Sequence, residues 1–176
     1  MAQFNLKSKQ RAERKLLITV AEWTEGTSTI REILGTRTPD SSIEYNADVE
    51  TETDIRGITY TDVNKTQPEQ TLDPYTILGG SKLGPFLDNL RRRNQVSEYN
   101  QFTIYVITAY RGTAGAYEAE KHTGCTIYPT ALGGESYVNM PITINLSNDC
   151  DELGHPAIGT IDKLSDDFVF TPESVG

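Results

Sequence analysis

The segment "QFTIYVITAYRG" (101–112) alternates in the manner of a half-buried β-strand, and "SYVNMPITINL" (136–146) repeats the pattern. Consecutive strand residues point to opposite faces of a sheet, which is why a period of two indicates a strand. Three other segments predict further strands: "KLLITVAEW" (15–23), "AYEAEKHTGCTIYP" (116–129) and a short stretch around Phe168 to Phe170. The sequence therefore predicts a chain built mainly from β-strands.

One segment, "SKLGPFLDNLRRRNQ" (81–95), breaks this pattern. Its apolar residues recur at helical spacing, which predicts an amphipathic α-helix. Ser81 suits the N-cap, Pro85 is tolerated in the first turn, and the cations Arg91 to Arg93 complement the negative C-terminal end of the helix dipole. The apolar stripe consists of Leu83, Phe86, Leu87 and Leu90.

The order of the predicted elements is several strands, one short helix and several more strands. The segment "TSTIREILG" (27–35) fits either a short strand or a helical turn. This order predicts a mainly β fold of the α+β class: an antiparallel β-sandwich or partial barrel with one flanking helix. A length of 176 residues suits one domain with its own core, so we expect a single domain over 1–176.

A long segment, "EYNADVETETDIRGITYTDVNKTQPEQTLDPYTIL" (44–78), is extended but very polar. Seven acids and two bases lie between positions 48 and 73. In "SSIEYNADV" (41–49), alternation puts Ile43, Tyr45, Ala47 and Val49 on one face of a strand. The segment "IRGITYTDV" (55–63) alternates in the same way, so the two segments predict a hairpin. Pro68 and Pro74 predict that the following piece is an edge or a loop.

The net charge of the chain is −9, with a pI near 4.7, which disfavours binding to nucleic acid and to anionic membranes. Charge is uneven: residues 1–23 hold five bases and two acids (+3), so the remainder carries −12, and 1–14 forms a basic N-terminal segment. No apolar run has the length of a signal peptide or membrane helix. Two cysteines suit a reducing cytoplasm.

The most suggestive constellation for metal binding is H-x2-C at 122–125 with C-x4-H at 150–155. His122, Cys125, Cys150 and His155 match the ligand types of a zinc site, but not the usual order in zinc fingers. We favour buried thiols with two surface histidines, and leave open whether Cys125 and Cys150 pair or His122 and His155 bind a metal. No metal or cofactor is predicted.

Other sites of chemistry have weak support. "GGSK" (79–82) lacks the full P-loop pattern and predicts a loop with a helix cap, and "NDCDELGHP" (148–156) predicts an acidic loop rather than a calcium site. No G-x-S-x-G segment occurs, and the three arginines at 91–93 would point in different directions from a helix. We therefore expect no enzymatic activity.

Residues 33–75 and the predicted helix at 82–93 resemble the major tail tube proteins of long-tailed bacteriophages. The strongest likeness lies in "EYN" (44–46), "TETDIRG" (51–57) and "KTQPEQTLDPY" (65–75). The resemblance implies a structural subunit that self-assembles into hexameric rings, stacked as a tube whose acidic channel passes DNA during ejection. It also implies a virion location after assembly in the host bacterial cytoplasm.

The partners that the resemblance implies are copies of the chain, the terminator, distal tail and tape measure proteins, and DNA held transiently without specific binding; no membrane is implied. Residues 44–78 would be an assembly arm. Its predicted interface residues are Glu50, Glu52, Thr53, Asp54, Gly57, Tyr60, Asp73 and Tyr75. Glu118 and Glu120, two apart on a strand, are predicted to face the channel together, and Glu50 with Glu52 is a second candidate pair.

Two alternatives remain open from the sequence. One is another phage tail or baseplate component with the same fold. The other is a carbohydrate-binding β-sandwich that uses exposed tyrosines. The default use of Tyr105, Tyr110, Tyr128 and Tyr137, within alternating strands, is packing. A small hydrolase with paired carboxylates has no positive feature in its favour.

Overall fold

The fold is organised around an antiparallel hairpin of two long strands, β7 (Phe102–Thr113) and β8 (Ala116–Pro129). The structure is a computed structural model, and it describes residues 4–147 and 155–173. Within these residues one α-helix, α1 (Leu83–Arg92), accompanies the strands. The remaining strands are β1 (Leu17–Glu25), β2 (Ser28–Ile33), β3 (Ile43–Glu44), β4 (Asp48–Thr53), β5 (Thr59–Lys65), β6 (Glu69–Leu72), β9 (Ile142–Asn145), β10 (Ala157–Ile161) and β11 (Phe170–Pro172).

Strand β7 is buried on both faces, because alternate residues enter two different hydrophobic clusters. Ile104 and Val106 join the larger cluster, whereas Tyr105 and Ile107 join the smaller one. On one side β7 pairs with β1, which in turn pairs with the edge strand β2. On the other side β7 pairs with β8, whose N-terminal half also pairs with β10.

The second layer of the sandwich begins where β8 bends. Gly124 has φ +66°, and β8 carries an extra residue here, since Phe102 pairs with Cys125 and Ile104 pairs with His122. Beyond this bulge β8 pairs with β9, β9 pairs with β6, and β6 pairs with β3. The larger cluster lies between the layers, so the predicted antiparallel sandwich or partial barrel is confirmed.

The predicted helix is confirmed and closes the larger cluster. Leu83, Leu87 and Leu90 are buried, and Phe86 stacks on Trp23 with ring centroids 5.7 Å apart. The helix begins at Leu83, so its N-cap position is Lys82 and not Ser81 as predicted. Ser81 Oγ nevertheless accepts a hydrogen bond from the Gly84 N–H at 3.2 Å.

A half-buried ion pair stabilises the smaller cluster, which includes Tyr105 and Phe168. Arg31 on β2 pairs with Glu22 on β1, and its guanidinium lies 4.4 Å from the ring centroid of Phe168. Arg31 Nη1 also donates to the Phe168 carbonyl at 2.6 Å. The segment between β10 and β11 is therefore held over the outer face of β7.

Several predicted strand boundaries are wrong. The segment 41–49 is not one strand, because Asn46 has φ +46° and ends β3 before β4 begins. The predicted strand 136–146 shortens to β9, since 136–141 makes only isolated bridges through Asn139.

The segment 27–35 forms a strand, β2, and β10 was not predicted. Pro68 precedes β6, which is paired on both sides and is not an edge.

The predicted strands 15–23 and 116–129 are confirmed as β1 and β8. The last strand, expected around 168–170, lies slightly later, as β11. In the part of the chain that the structure describes, none of the helices is long and apolar enough to cross a membrane.

Replacement of Leu87 by Ala should lower the free energy of unfolding by about 2–5 kcal/mol, because a fully buried leucine leaves a cavity between helix and sheet. Thermal or denaturant unfolding of the purified protein measures the loss. Asn89→Ala, at an exposed position on the same helix, is the matched control and should change stability by less than about 0.5 kcal/mol. Equal effects of the two substitutions would show that the helix does not pack as described.

Candidate assembly surface

Strands β4 and β5 form a two-stranded sheet of their own, separate from the main sheet. We call residues 48–65 the hairpin. Every residue of both strands is exposed. The large apolar residues of this segment are Val49 (52% exposed), Ile55 (106%), Ile58 (42%), Tyr60 (52%) and Val63 (61%). Isolated two-stranded hairpins are marginally stable in water, so this one would gain stability from a partner surface.

The strand register divides the hairpin into two chemically different faces. Directly paired residues of antiparallel strands project to the same face. Val49 pairs with Val63, and Thr53 pairs with Thr59, so one face carries β-branched side chains. The opposite face is acidic: Glu50 pairs with Asp62, and Glu52 pairs with Tyr60.

The tip of the hairpin is held by Asp54. Its Oδ1 accepts hydrogen bonds from the Arg56 N–H at 2.8 Å and the Ile58 N–H at 3.0 Å. The Asp54 carbonyl accepts from the Gly57 N–H at 2.9 Å, and Gly57 has φ +77°, which favours glycine. This organised turn presents Ile55, which is fully exposed.

Six predicted interface residues lie together on the hairpin: Glu50, Glu52, Thr53, Asp54, Gly57 and Tyr60. Asp73 and Tyr75 do not, because the chain returns to the main sheet as β6. Tyr75 is only 7% exposed, and burial raises the pKa of its hydroxyl to about 12. The exposed part of the predicted arm 44–78 is therefore 44–67, with only Asp54 half-buried and the hairpin at its centre, and Tyr75 is a core residue.

Glu118 and Glu120 lie on one face of β8, as their spacing predicts. They line a groove of about 580 Å³ together with Arg14, Tyr45 and Arg111. Arg111 forms an ion pair with Glu118. Glu120 Oε2 lies 3.3 Å from His122 Nε2. Both acids thus have partners within the chain. The sequence analysis did not predict that Arg111 pairs with Glu118.

His122 is buried, at 3% exposure, and is not the surface residue that was predicted. Its Nδ1 lies 2.9 Å from the Ser147 carbonyl oxygen. Cys125 is also buried, and its sulfur accepts from the Ser147 N–H at 3.3 Å. His155 is exposed, as predicted, whereas Cys150 and the rest of 148–154, which is most of the acidic segment 148–156, lie outside the described residues. Among residues 4–147 and 155–173, no group of three or more His, Cys, Asp or Glu could hold a metal ion.

The N-terminus of α1 is capped by the carboxylate of Glu32, which lies on strand β2. Glu32 Oε2 accepts hydrogen bonds from the Lys82 and Leu83 N–H groups, both at 2.6 Å. A carboxylate suits the positive end of the helix dipole, and it occupies the place that an anion would take. Residues 79–82 therefore form a loop, as predicted, but the carboxylate that caps the helix comes from Glu32 and the N-cap position is Lys82, not the predicted Ser81. Sequence analysis missed Glu32 because it lies 50 residues away.

A second exposed surface lies beside α1. We call it the arginine-rimmed patch: Ile77, Pro85, Leu132 and Val138, bordered by Asp88, Arg91 and Arg92. These residues line a depression of about 550 Å³. A backbone hydrogen bond of 2.9 Å from Ile77 to Val138 joins two of its segments. The patch has no sequence signature, because its parts come from three distant segments.

Of the four tyrosines considered for sugar stacking, only Tyr137 is exposed. Tyr105 is buried at 1% exposure, with a pKa raised chiefly by burial and secondly by the charge of Glu22. Tyr110 and Tyr128 are half-buried in strands. Tyr137 is 76% exposed but lies in a loop, although it was predicted to lie in a strand. Stacking of a sugar across several rings therefore has no support from their arrangement.

Comparisons of the chain with protein-family models, with curated proteins and with solved structures found no match. The hairpin exposes large apolar residues on an element whose turn is ordered by its own hydrogen bonds. Such an element can add strands or insert side chains into another molecule.

Substitution of Asp54 by Ala should loosen the tip, because two backbone N–H groups lose their acceptor. We expect hydrogen exchange at the Arg56 and Ile58 amides to quicken roughly tenfold, equivalent to one lost hydrogen bond of about 1–1.5 kcal/mol. Asp54→Asn, which keeps an acceptor oxygen, should change exchange much less. If Asn and Ala quicken exchange equally, the side-chain oxygen does not organise the turn.

Proposed function

We propose that the protein is a structural subunit that self-assembles into hexameric rings, stacked as the tail tube of a long-tailed bacteriophage. The observation that carries the proposal is the hairpin, which is ordered by its own hydrogen bonds yet buries none of its large apolar side chains. The likeness of residues 33–75 to tail tube proteins supplies the identity of the assembly.

Self-assembly gives the hairpin the burial that it lacks in the subunit. Complete removal of a Val, Ile or Tyr side chain from water contributes on the order of 1.5–3 kcal/mol, less when the side chain is already half-buried. One such contact is weak against the entropy lost on association. A closed ring stacked on the next repeats the contact at every subunit, which makes the assembly stable while each contact stays modest.

The charge of the chain suits a channel for DNA. A subunit of net charge −9 repels a polyanion, so DNA slides without lasting attachment. In the proposed tube Glu118 and Glu120 face the channel. The ion pair with Arg111 weakens the negative potential that Glu118 contributes. The proposed partners are further copies of the chain, the terminator, distal tail and tape measure proteins, and transiently DNA, in the virion.

Excision of the hairpin tests the proposed role. Replacement of residues 50–62 by an Asn-Gly turn joins Val49 to Val63, which already pair directly. We expect the shortened protein to fold with a nearly unchanged melting temperature, because the excised residues contribute nothing to the hydrophobic clusters. Light scattering and electron microscopy should show monomers at concentrations where the full chain forms rings or tubes.

Two results would count against the proposal. Tubes formed by the shortened protein would show that the hairpin is not the joint between subunits. A full-length chain that stays monomeric at every concentration would contradict self-assembly itself.

Removal of the two groove acids tests their position. In virions whose tails contain the double variant Glu118→Gln, Glu120→Gln, we expect DNA release to slow, and to slow more at low salt. The reason is that a screening length of about 10 Å at 0.1 M salt already shields DNA from much of the wall charge. Glu135→Gln, on an exposed loop, is the control. Unchanged release with normal tails would place Glu118 and Glu120 away from the channel.

A further inference from the structure

The hairpin tip ends in an exposed apolar side chain, and the arginine-rimmed patch is an apolar depression bordered by charge. The tip projects Ile55, fully exposed, from a turn that Asp54 holds in place. The patch is a depression of about 550 Å³ whose floor is apolar. A rigid apolar side chain that enters a preformed apolar depression loses little conformational entropy on binding.

The charges around the two surfaces are opposite. Glu50, Glu52 and Asp62 project from one face of the hairpin behind the tip. The patch is bordered by Arg91 and Arg92, with Arg93 next along the chain. In the described part of the chain Arg91 pairs with Asp88, whereas Arg92 and Arg93 form no ion pair, which leaves two cations for a partner.

The two surfaces do not cover each other within one chain. The hairpin strands are exposed along their whole length, and Ile77, Leu132 and Val138 in the patch are 40%, 47% and 54% exposed. Exposed apolar surface rimmed by charge is typical of a site for another protein. In a chain of net charge −9, a cluster of arginines beside apolar surface favours an acidic partner with an apolar end.

We propose that the arginine-rimmed patch of one copy receives the hairpin tip of a second copy of this chain. This inference rests on the proposed function and names the two surfaces that meet in it. Ile55 enters the depression formed by Ile77, Leu132 and Val138. Glu50 and Glu52 lie against Arg92 and Arg91, and Arg56 at the tip approaches Asp88, taking the place that Arg91 has beside it in the single chain. The contact is heterologous, since different surfaces of the two copies meet, and such contacts build rings and stacks.

Charge exchange tests the pairing. One variant carries Glu50→Lys and Glu52→Lys, and the other carries Arg91→Glu and Arg92→Glu. Each alone brings like charges together at every contact, so we expect the concentration needed for assembly to rise at least tenfold. A mixture of the two restores opposite charges at every contact and should assemble near the wild-type concentration. Light scattering and electron microscopy measure all three samples, with circular dichroism as the check on folding.

The outcomes separate this inference from the proposed function. Wild-type tubes together with normal assembly of either variant, or with no recovery in the mixture, would overturn the pairing and leave self-assembly standing. A wild-type chain that never assembles would overturn both.

A second pair of variants tests the apolar part. Ile55→Ser should raise the assembly concentration roughly tenfold, since Ile55 is fully exposed in the subunit and buried only in the contact. Val169→Ser, at another apolar residue with 61% exposure, is the control and should leave assembly unchanged. Equal behaviour of the two variants would show that the tip does not enter a depression.

Discussion

Burial of β7 on both faces is the constraint on which the rest of the structure depends. A strand whose alternate residues enter two clusters needs cover on two sides. The second layer (β9, β6 and β3) and α1 cover one side, and the segment around Phe168, held by Arg31, covers the other. The bulge at Gly124 allows β8 to leave β7 and enter the second layer, so one strand belongs to both layers.

The hairpin follows a different rule from the sandwich. Its sequence alternates as a strand should, yet both faces are exposed, and the hydrogen bonds that the Asp54 carboxylate accepts define its end. An element with this much order and this little burial is costly for a monomer, because ordering a residue costs about 1–2 kcal/mol of conformational entropy. Assembly offers a physical reason to keep it.

Several charged side chains of the sandwich have a partner within the chain. Glu32 neutralises the start of α1, Glu22 pairs with Arg31, and Glu118 pairs with Arg111. What remains is an excess of acid on the hairpin and of arginine at the end of α1. These two surfaces are where the proposed contact between copies draws its specificity, since the large overall negative charge opposes any less selective association.

The sequence by itself determined the class of fold, the helix and the long central strands, and it predicted a polar hairpin of 41–49 with 55–63 where the structure pairs Asp48–Thr53 with Thr59–Lys65. Each of these depends on a local pattern, such as the period of two in 101–112 or the stripe of Leu83, Leu87 and Leu90. Tertiary structure alone decided the break at Asn46, the burial of His122 and Tyr75, and the cap that Glu32 provides. The arginine-rimmed patch also exists only in the fold, because Ile77, Leu132 and Val138 are neighbours through backbone pairing of distant segments. Periodicity reports which face of one element is apolar, but not what other segments of the chain lie against it.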